Sequence, residues 1–219
     1  MKPEPSTKSP PCHRDSRAVL IGVAGEIFAE RGYELTTIKE ITDRAGANVA
    51  SVNYYFRDKL GLYTEVLRQS LHNGAMAFPA DTAELTADER LRGFIWSFMK
   101  SLVSLGRPSW TGRLVVRELA QPTAALPQVV EEIIRPNFLI LRQIVGDVAG
   151  CPLNPETLDL LTHSVMAQCV HWKTSAPIFP YLWPALEFNE AQVRRIADHI
   201  AAFSIAGIRA AIRAEAQVA

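Results

Sequence analysis

The chain has 219 residues, with 23 Lys or Arg balanced by 23 Asp or Glu, so the formal net charge at neutral pH is zero. A chain of this length buries a sizeable core in one or two domains, and it has no run of 18 or more apolar residues to span a membrane. Cys12, Cys151 and Cys169 are odd in number and widely spaced, which fits a reducing cytoplasm and not a disulfide framework.

Residues 1–13, MKPEPSTKSPPCH, hold four prolines (Pro3, Pro5, Pro10, Pro11) and no apolar signal core. They read as a flexible tail and not a secretory peptide. The cations Lys2, Lys8 and Arg14 would let such a tail graze a minor groove, but a disordered leader is the plainer reading. A first helix is predicted over residues 15–31, with Ala18, Ile21, Ala24, Gly25 and Phe28 on one face and Gly32 as its stop.

The next segment, TIKEITDRAGANVASVNYYFRDK (37–59), carries the most information. Thr37 with Glu40 forms the pattern of a capping box, and Ile38, Ile41 and Ala45 make an apolar stripe. Gly46 can take the left-handed conformation that ends a helix, and Asn48 is a good N-cap for a second helix. On that second helix Val52 and Phe56 fall on one side as buried anchors. The other side is uncharged. Val49 and Ala50 are small enough to approach base edges and touch a thymine methyl, and Asn53 can pair with the N6 and N7 of adenine. The hydroxyls of Ser51, Tyr54 and Tyr55 can reach phosphates, which fixes register without reading sequence, and Lys59 would meet the backbone as a point charge. The expected DNA contacts are therefore Thr37, Asn48, Val49, Ala50, Ser51, Asn53, Tyr54, Tyr55 and Lys59. A surface helical hairpin without a ligand explains the caps and the glycine but leaves the Asn/Tyr face idle.

From residue 14 to 74, through AGEIFAERGYELTTIKEI and AGANVASVNYYFRDKLGLY, the chain resembles the N-terminal DNA-binding domain of the TetR family of bacterial transcriptional repressors. The NVASVNYYF variant with its closing GLY is similar to the CecR-like subgroup. Ala47 replaces the larger aliphatic residue usual after the turn glycine. Tyr55 stands where the family mostly has His, so a phosphate contact there comes from a phenol. The resemblance implies a three-helix helix-turn-helix domain over 14–74 and a helical ligand-sensing and dimerisation domain over 75–219. It also implies a homodimer, a double-stranded operator and a small hydrophobic or aromatic inducer.

Charge neither supports nor opposes this reading. Residues 1–74 contain 10 Lys or Arg and 9 Asp or Glu, and residues 75–219 contain 13 and 14. Local placement must carry DNA binding, with Arg44, Arg57 and Lys59 as the cations near the reading face. One copy would bind weakly, and two copies on adjacent half-sites multiply affinity.

The rest of the chain reads as helices, giving an all-α fold. One is predicted from residue 59 to about 77, broken by Phe78-Pro79. Thr86 with Glu89 is a second capping box, opening a helix that buries Leu91, Phe94, Ile95, Phe98, Met99 and Leu102. Another follows Pro108, over 110–120. A long helix begins near Pro127 and should kink at Pro136. Asn154 and Asn189 cap the last two helices, to about residues 173 and 215. Those two helices are broadly apolar, and Ala201, Ala202, Ala206, Gly207, Ala210 and Ala211 would let a partner helix come close, which points to a homodimer seam.

Ligand residues are thinly signalled. The aromatic and polar side chains of the C-terminal half, with the thioether of Met99, offer Trp96, Met99, Trp110, Phe138, His163, Gln168, His171 and Trp172 as pocket candidates. The proline-aromatic connection 175–188 is placed to cover a site. Catalysis and cofactors are not expected. His163, Cys169 and His171 project at about 0°, 240° and 80° around one helix, which is no metal site. Gly22 and Gly25 lie inside a helix and not in a phosphate loop, and no G-x-S-x-G elbow occurs. The two readings from different classes are a DNA-binding regulator and an all-helical protein-binding adaptor.

Overall fold

A computed structural model describes residues 13–72, 84–103 and 109–218, and no strand occurs among them. The prolines of the N-terminal tail, Cys12, the Phe78-Pro79 break and Pro108 lie outside these residues. The chain divides into two compact units, Met1–Val66 and Leu67–Ala219, each with its own core.

The first unit contains α1 (His13–Leu35), α2 (Ile38–Ala45), α3 (Val49–Phe56) and the beginning of α4 (Lys59–His72). The expected stop at Gly32 is present as a non-helical residue, φ 81° and ψ 171°, after which one more turn reaches Leu35. Such a positive φ suits glycine. The Thr36 hydroxyl locks the corner by donating to the Gly32 carbonyl at 2.7 Å. The buried side of α1 is wider than the sequence stripe: Leu20, Ile21, Ala24, Ile27 and Phe28 are all inside, whereas Ala18 is exposed. Tyr63 on α4 is fully buried, edge-on to Phe28 at 4.8 Å between centroids and 5.0 Å from Tyr33. Such aromatic pairs contribute about 0.5–1.5 kcal/mol beyond their burial.

The second unit comprises the end of α4 with α5 (Ala87–Leu102), α6 (Ser109–Ala120), α7 (Leu126–Val129), α8 (Arg135–Ala149), α9 (Pro155–Thr174), α10 (Phe179–Leu182) and α11 (Glu190–Val218). Its core is packed by α5, α8, α9 and α11, with Leu91, Ile95 and Met99 meeting Leu141 and Val145, Val165 and Cys169, and Ile196, Ile200 and Ala201. Phe98 and Leu102, expected inside, are only half-buried at its edge. Ion pairs lie around the core, joining Arg209 to Asp88 at 2.9 Å and Arg90 to Asp147 at 2.9 Å.

The caps form as the side chains dictate. Thr86 and Glu89 make a complete capping box, and Asn154 and Asn189 each accept a first-turn N–H at 2.9 Å. The kink expected at Pro136 takes a different form. Residues Val130–Ile134 make a turn of π-helix between α7 and α8, and the Arg135 N–H reaches back to the Val130 carbonyl. Pro136 has no N–H to continue an α-helical ladder, so the extra residue in the turn absorbs the mismatch. The Asn137 side-chain amide then donates to the Ile133 carbonyl at 2.7 Å. The connection 175–188 is not all loop. It holds the short helix α10, whose Phe179 is buried against Trp172.

Candidate nucleic-acid interface

The helix-turn-helix is assembled by local hydrogen bonds. Thr37 caps α2 by accepting the Glu40 N–H at 3.1 Å. The reciprocal half of the expected capping box is missing, because the Glu40 carboxylate forms an ion pair with Arg31 at 2.7 Å instead. Gly46 ends α2 in the left-handed region, φ 62° and ψ 30°, and the Ala47 N–H closes the turn onto the Thr42 carbonyl at 2.9 Å. Asn48 then accepts the Ala50 N–H at 2.9 Å and starts α3.

On α3, Val52 and Phe56 are buried at 0% and 6% exposure, which fixes how the helix is rotated. Asn48, Val49, Ala50, Asn53 and Tyr54 are consequently exposed, Tyr54 at 77%, while Ser51 and Tyr55 are half-buried. The Tyr54 and Tyr55 rings meet edge to face at 5.0 Å. Apart from cap duties of Thr37 and Asn48, this surface presents methyls, one amide and phenols with no charge.

Where α3 ends, three neighbouring residues form a corner that the sequence pattern did not disclose. Arg57 has φ 73° and ψ −47°, an uncommon conformation for a residue with a Cβ, and its N–H bonds the Asn53 carbonyl at 3.1 Å. Asp58 caps α4 by accepting the Gly61 N–H at 2.8 Å. A Cβ on Gly61 would stand 1.9 Å from the Phe56 carbonyl oxygen, so only glycine permits α4 to pass this close to α3. Asp58 three residues before Gly61 was the available signal for the cap. The close approach had none.

The cations divide into two groups. The Lys59 ammonium, expected to meet the DNA backbone, donates to the Glu34 carbonyl at 3.3 Å and lies 4.3 Å from the Tyr33 ring centroid. Arg44 pairs with Glu26 at 2.6 Å. Both therefore brace the unit. Lys39 and Arg57 are exposed and have no ion-pair partner among the described residues. The Tyr33 phenol has its pKa raised by burial, with Glu34 and Asp58 adding to the shift.

The eight pocket candidates of the second unit fall in separate places. Met99 and Trp110 are buried, Met99 within the core. Trp96 is half-buried at the edge of the core, with the Arg194 guanidinium 4.9 Å from its ring. The Phe138 and His163 rings pair at 5.0 Å across α8 and α9. Gln168 donates to the Ser204 hydroxyl at 3.2 Å in a groove between α9 and α11. His171 contacts the Ser175 hydroxyl at 3.0 Å, and Trp172 stacks on Phe179 at 5.0 Å. Among the described residues they lie in the core, in two ring clusters and in one inter-helix groove. Among the described residues no three His, Cys, Asp or Glu side chains converge as metal ligands, and no helix is long and apolar enough to cross a membrane.

Fold and site together define a helix-turn-helix DNA-binding transcriptional regulator. Residues 20–66 match the bacterial regulatory proteins of the tetR family, and residues 87–208 match the C-terminal domain of the HTH-type transcriptional dual regulator CecR. The chain belongs to the TetR family, among the regulators with a CecR-type C-terminal domain. It is 27% identical over 168 residues to CecR of Shigella flexneri, covering 70% of this chain and 74% of that protein. It is 39% identical over 67 residues to the transcriptional repressor KstR2 of Mycolicibacterium smegmatis, a match covering 31% of this chain and 32% of the other. The fold is shared with the transcriptional regulator FadR of Bacillus subtilis in complex with stearoyl-CoA, at a TM-score of 0.65 and 17% identity over 87% of this chain and 98% of that one.

Proposed function

We propose that the protein is a homodimeric cytoplasmic repressor that a small apolar ligand releases from its operator. Residues 14–74 read DNA, and residues 75–219 sense the ligand and pair two subunits. The observation that carries this reading is the uncharged surface of α3, held outward by the burial of Val52 and Phe56. Val49, Ala50 and Asn53 supply base-edge contacts. Thr37, Asn48, Ser51, Tyr54 and Tyr55 fix the register on phosphates. Lys39 and Arg57, without ion pairs among the described residues, add charge attraction. Lys59 acts from behind, bracing α4 against Tyr33.

Pairing is supported by the exposed side of α11, where Ala202, Phe203, Ala206, Gly207 and Ala210 leave a small-residue surface with Phe203 63% exposed, and by Leu160 on α9, also 63% exposed. The name of KstR2 favours repression, and the stearoyl-CoA in the FadR structure favours an apolar ligand within this fold. Regulation is a population shift: the ligand binds the DNA-incompetent arrangement of the dimer more tightly than the competent one. α4 is the lever, since one helix carries both Lys59 and the last residues before the sensor.

Selection of bound fragments from a random duplex pool tests the reading and yields the operator. Asn53→Ala is expected to weaken the selected site by about 1–3 kcal/mol and to relax its sequence preference at one position. A purified protein that is monomeric and retains no duplex at low salt would refute the proposal.

A further inference from the structure

Among the described residues four have a positive φ, and three of them, Gly32, Gly46 and Gly150, are the glycines such a conformation suits. The fourth is Arg57, at φ 73° and ψ −47°. That lies beside the γ-turn region, which is rare and strained for a residue with a Cβ. Asn and Asp tolerate a positive φ because a short polar side chain bonds nearby backbone, but an arginine has no such local compensation.

The corner is imposed from outside residue 57. The Arg57 N–H is held by the Asn53 carbonyl at 3.1 Å, and Asp58 accepts twice, its carboxylate from the Gly61 N–H at 2.8 Å and its carbonyl from the Leu62 N–H at 3.1 Å. Gly61 passes so near that a Cβ there would stand 1.9 Å from the Phe56 carbonyl oxygen. α4 therefore starts hard against the end of α3, and the residue between Phe56 and Asp58 must reverse the chain. Glycine would do so without strain. The position instead holds an exposed cation with no ion-pair partner among the described residues. Its neighbours are engaged: Arg17 pairs with Glu65 at 2.7 Å, Arg44 with Glu26 at 2.6 Å, and the Lys59 ammonium rests on Tyr33 and the Glu34 carbonyl.

We infer that the guanidinium of Arg57 clasps one defined operator phosphate at the end of the reading helix, and that the strained corner holds it there. A planar guanidinium donates two parallel N–H groups to phosphate oxygens, which fixes geometry as well as charge. The inference rests on the DNA-binding reading above and narrows the part of Arg57 from general attraction to one phosphate in each half-site, a contact that sets register. A cation at the carbonyl end of α3 also favours the helix dipole. That role alone predicts that truncation of the side chain lowers stability, the opposite of what relief of strain predicts for glycine.

The test compares full-length Arg57→Gly, Arg57→Ala and Arg57→Lys with the wild type, by thermal unfolding and by phosphate-ethylation interference on the operator that the wild type selects. Arg57→Gly should melt about 2–4 °C above both the wild type and Arg57→Ala. In the Gly and Ala variants, one phosphate of each half-site whose ethylation hinders the wild type should cease to matter. Affinity should fall at least about tenfold, and the salt slope by about one per subunit. Arg57→Lys should restore the salt slope and most of the affinity. A glycine variant that melts no higher than the alanine variant overturns the inference, and so do truncations that weaken binding without removing any phosphate from the interference pattern. A wild type that selects no operator from a random duplex pool overturns the DNA-binding reading itself, and the inference with it.

Discussion

The two units are built in opposite ways. In the first, the proposed reading face comes from the single stretch Val49 to Tyr55, and rotation of one short helix about the buried Val52 and Phe56 decides which of its side chains point outward. In the second, the core is assembled from α5, α8, α9 and α11, whose contributions lie more than a hundred residues apart, from Leu91 to Ile208. A protruding probe depends on local caps and a few anchors. A core depends on every helix that walls it. The head should therefore fail by loss of single corners, and the sensor by loss of packing.

The sharpest way to separate the units is Gly61→Ala. A Cβ there must displace the Phe56 backbone, which it would approach to 1.9 Å, at a cost of about 3 kcal/mol. DNA binding should be lost. All four tryptophans, Trp96, Trp110, Trp172 and Trp183, belong to the second unit, so the denaturation midpoint followed by tryptophan emission should hardly move. A large shift in that midpoint would show that the units do not stand apart energetically. Met99→Ala is the mirror experiment. Met99 is fully buried in the second core, and its truncation should lower the tryptophan-detected stability by about 2–5 kcal/mol without changing the base preference of the selected operator.

Lys59 and Arg57 refine the comparison within the head. Lys59→Met removes the contact with the Tyr33 ring and the Glu34 carbonyl, and should cost about 1 kcal/mol of stability, read by circular dichroism. Arg57→Ala should instead weaken all DNA sequences alike and flatten the salt dependence, with no loss of stability. If Lys59→Met leaves the melt unchanged and flattens the salt dependence, the division of the cations is wrong. The smallest effect is expected in the thiols. Burial pushes the Cys169 pKa up to about 12, so at pH 8 almost no thiolate is present to react. Maleimide followed by mass spectrometry should label the exposed Cys151 and spare Cys169 until denaturant is added.

Much of this was readable before any coordinates. The caps at Thr86, Asn48, Asn154 and Asn189, the glycine turn at Gly46 and the anchors Val52 and Phe56 all depend on neighbours within four residues, and periodicity reports those directly. The half-formed box at Thr37 shows the limit. Glu40 had the right spacing, but Arg31 from the preceding helix took its carboxylate. The contact of Lys59 with Tyr33 was hidden for a related reason, since Tyr33 lies on another helix. The eight residues expected as a ligand set share side-chain type and not position, and burial distributed them among the core, two ring clusters and an inter-helix groove.

By itself, the sequence determined the all-helical class, the helix-turn-helix and most of its caps, because those are contests between adjacent groups for backbone hydrogen bonds. Tertiary structure alone decided which cations pair among the described residues, why residue 61 must be glycine and how the chain passes Pro136 through a π-turn. Those outcomes depend on surfaces from distant segments meeting, and a linear pattern does not record which segments meet.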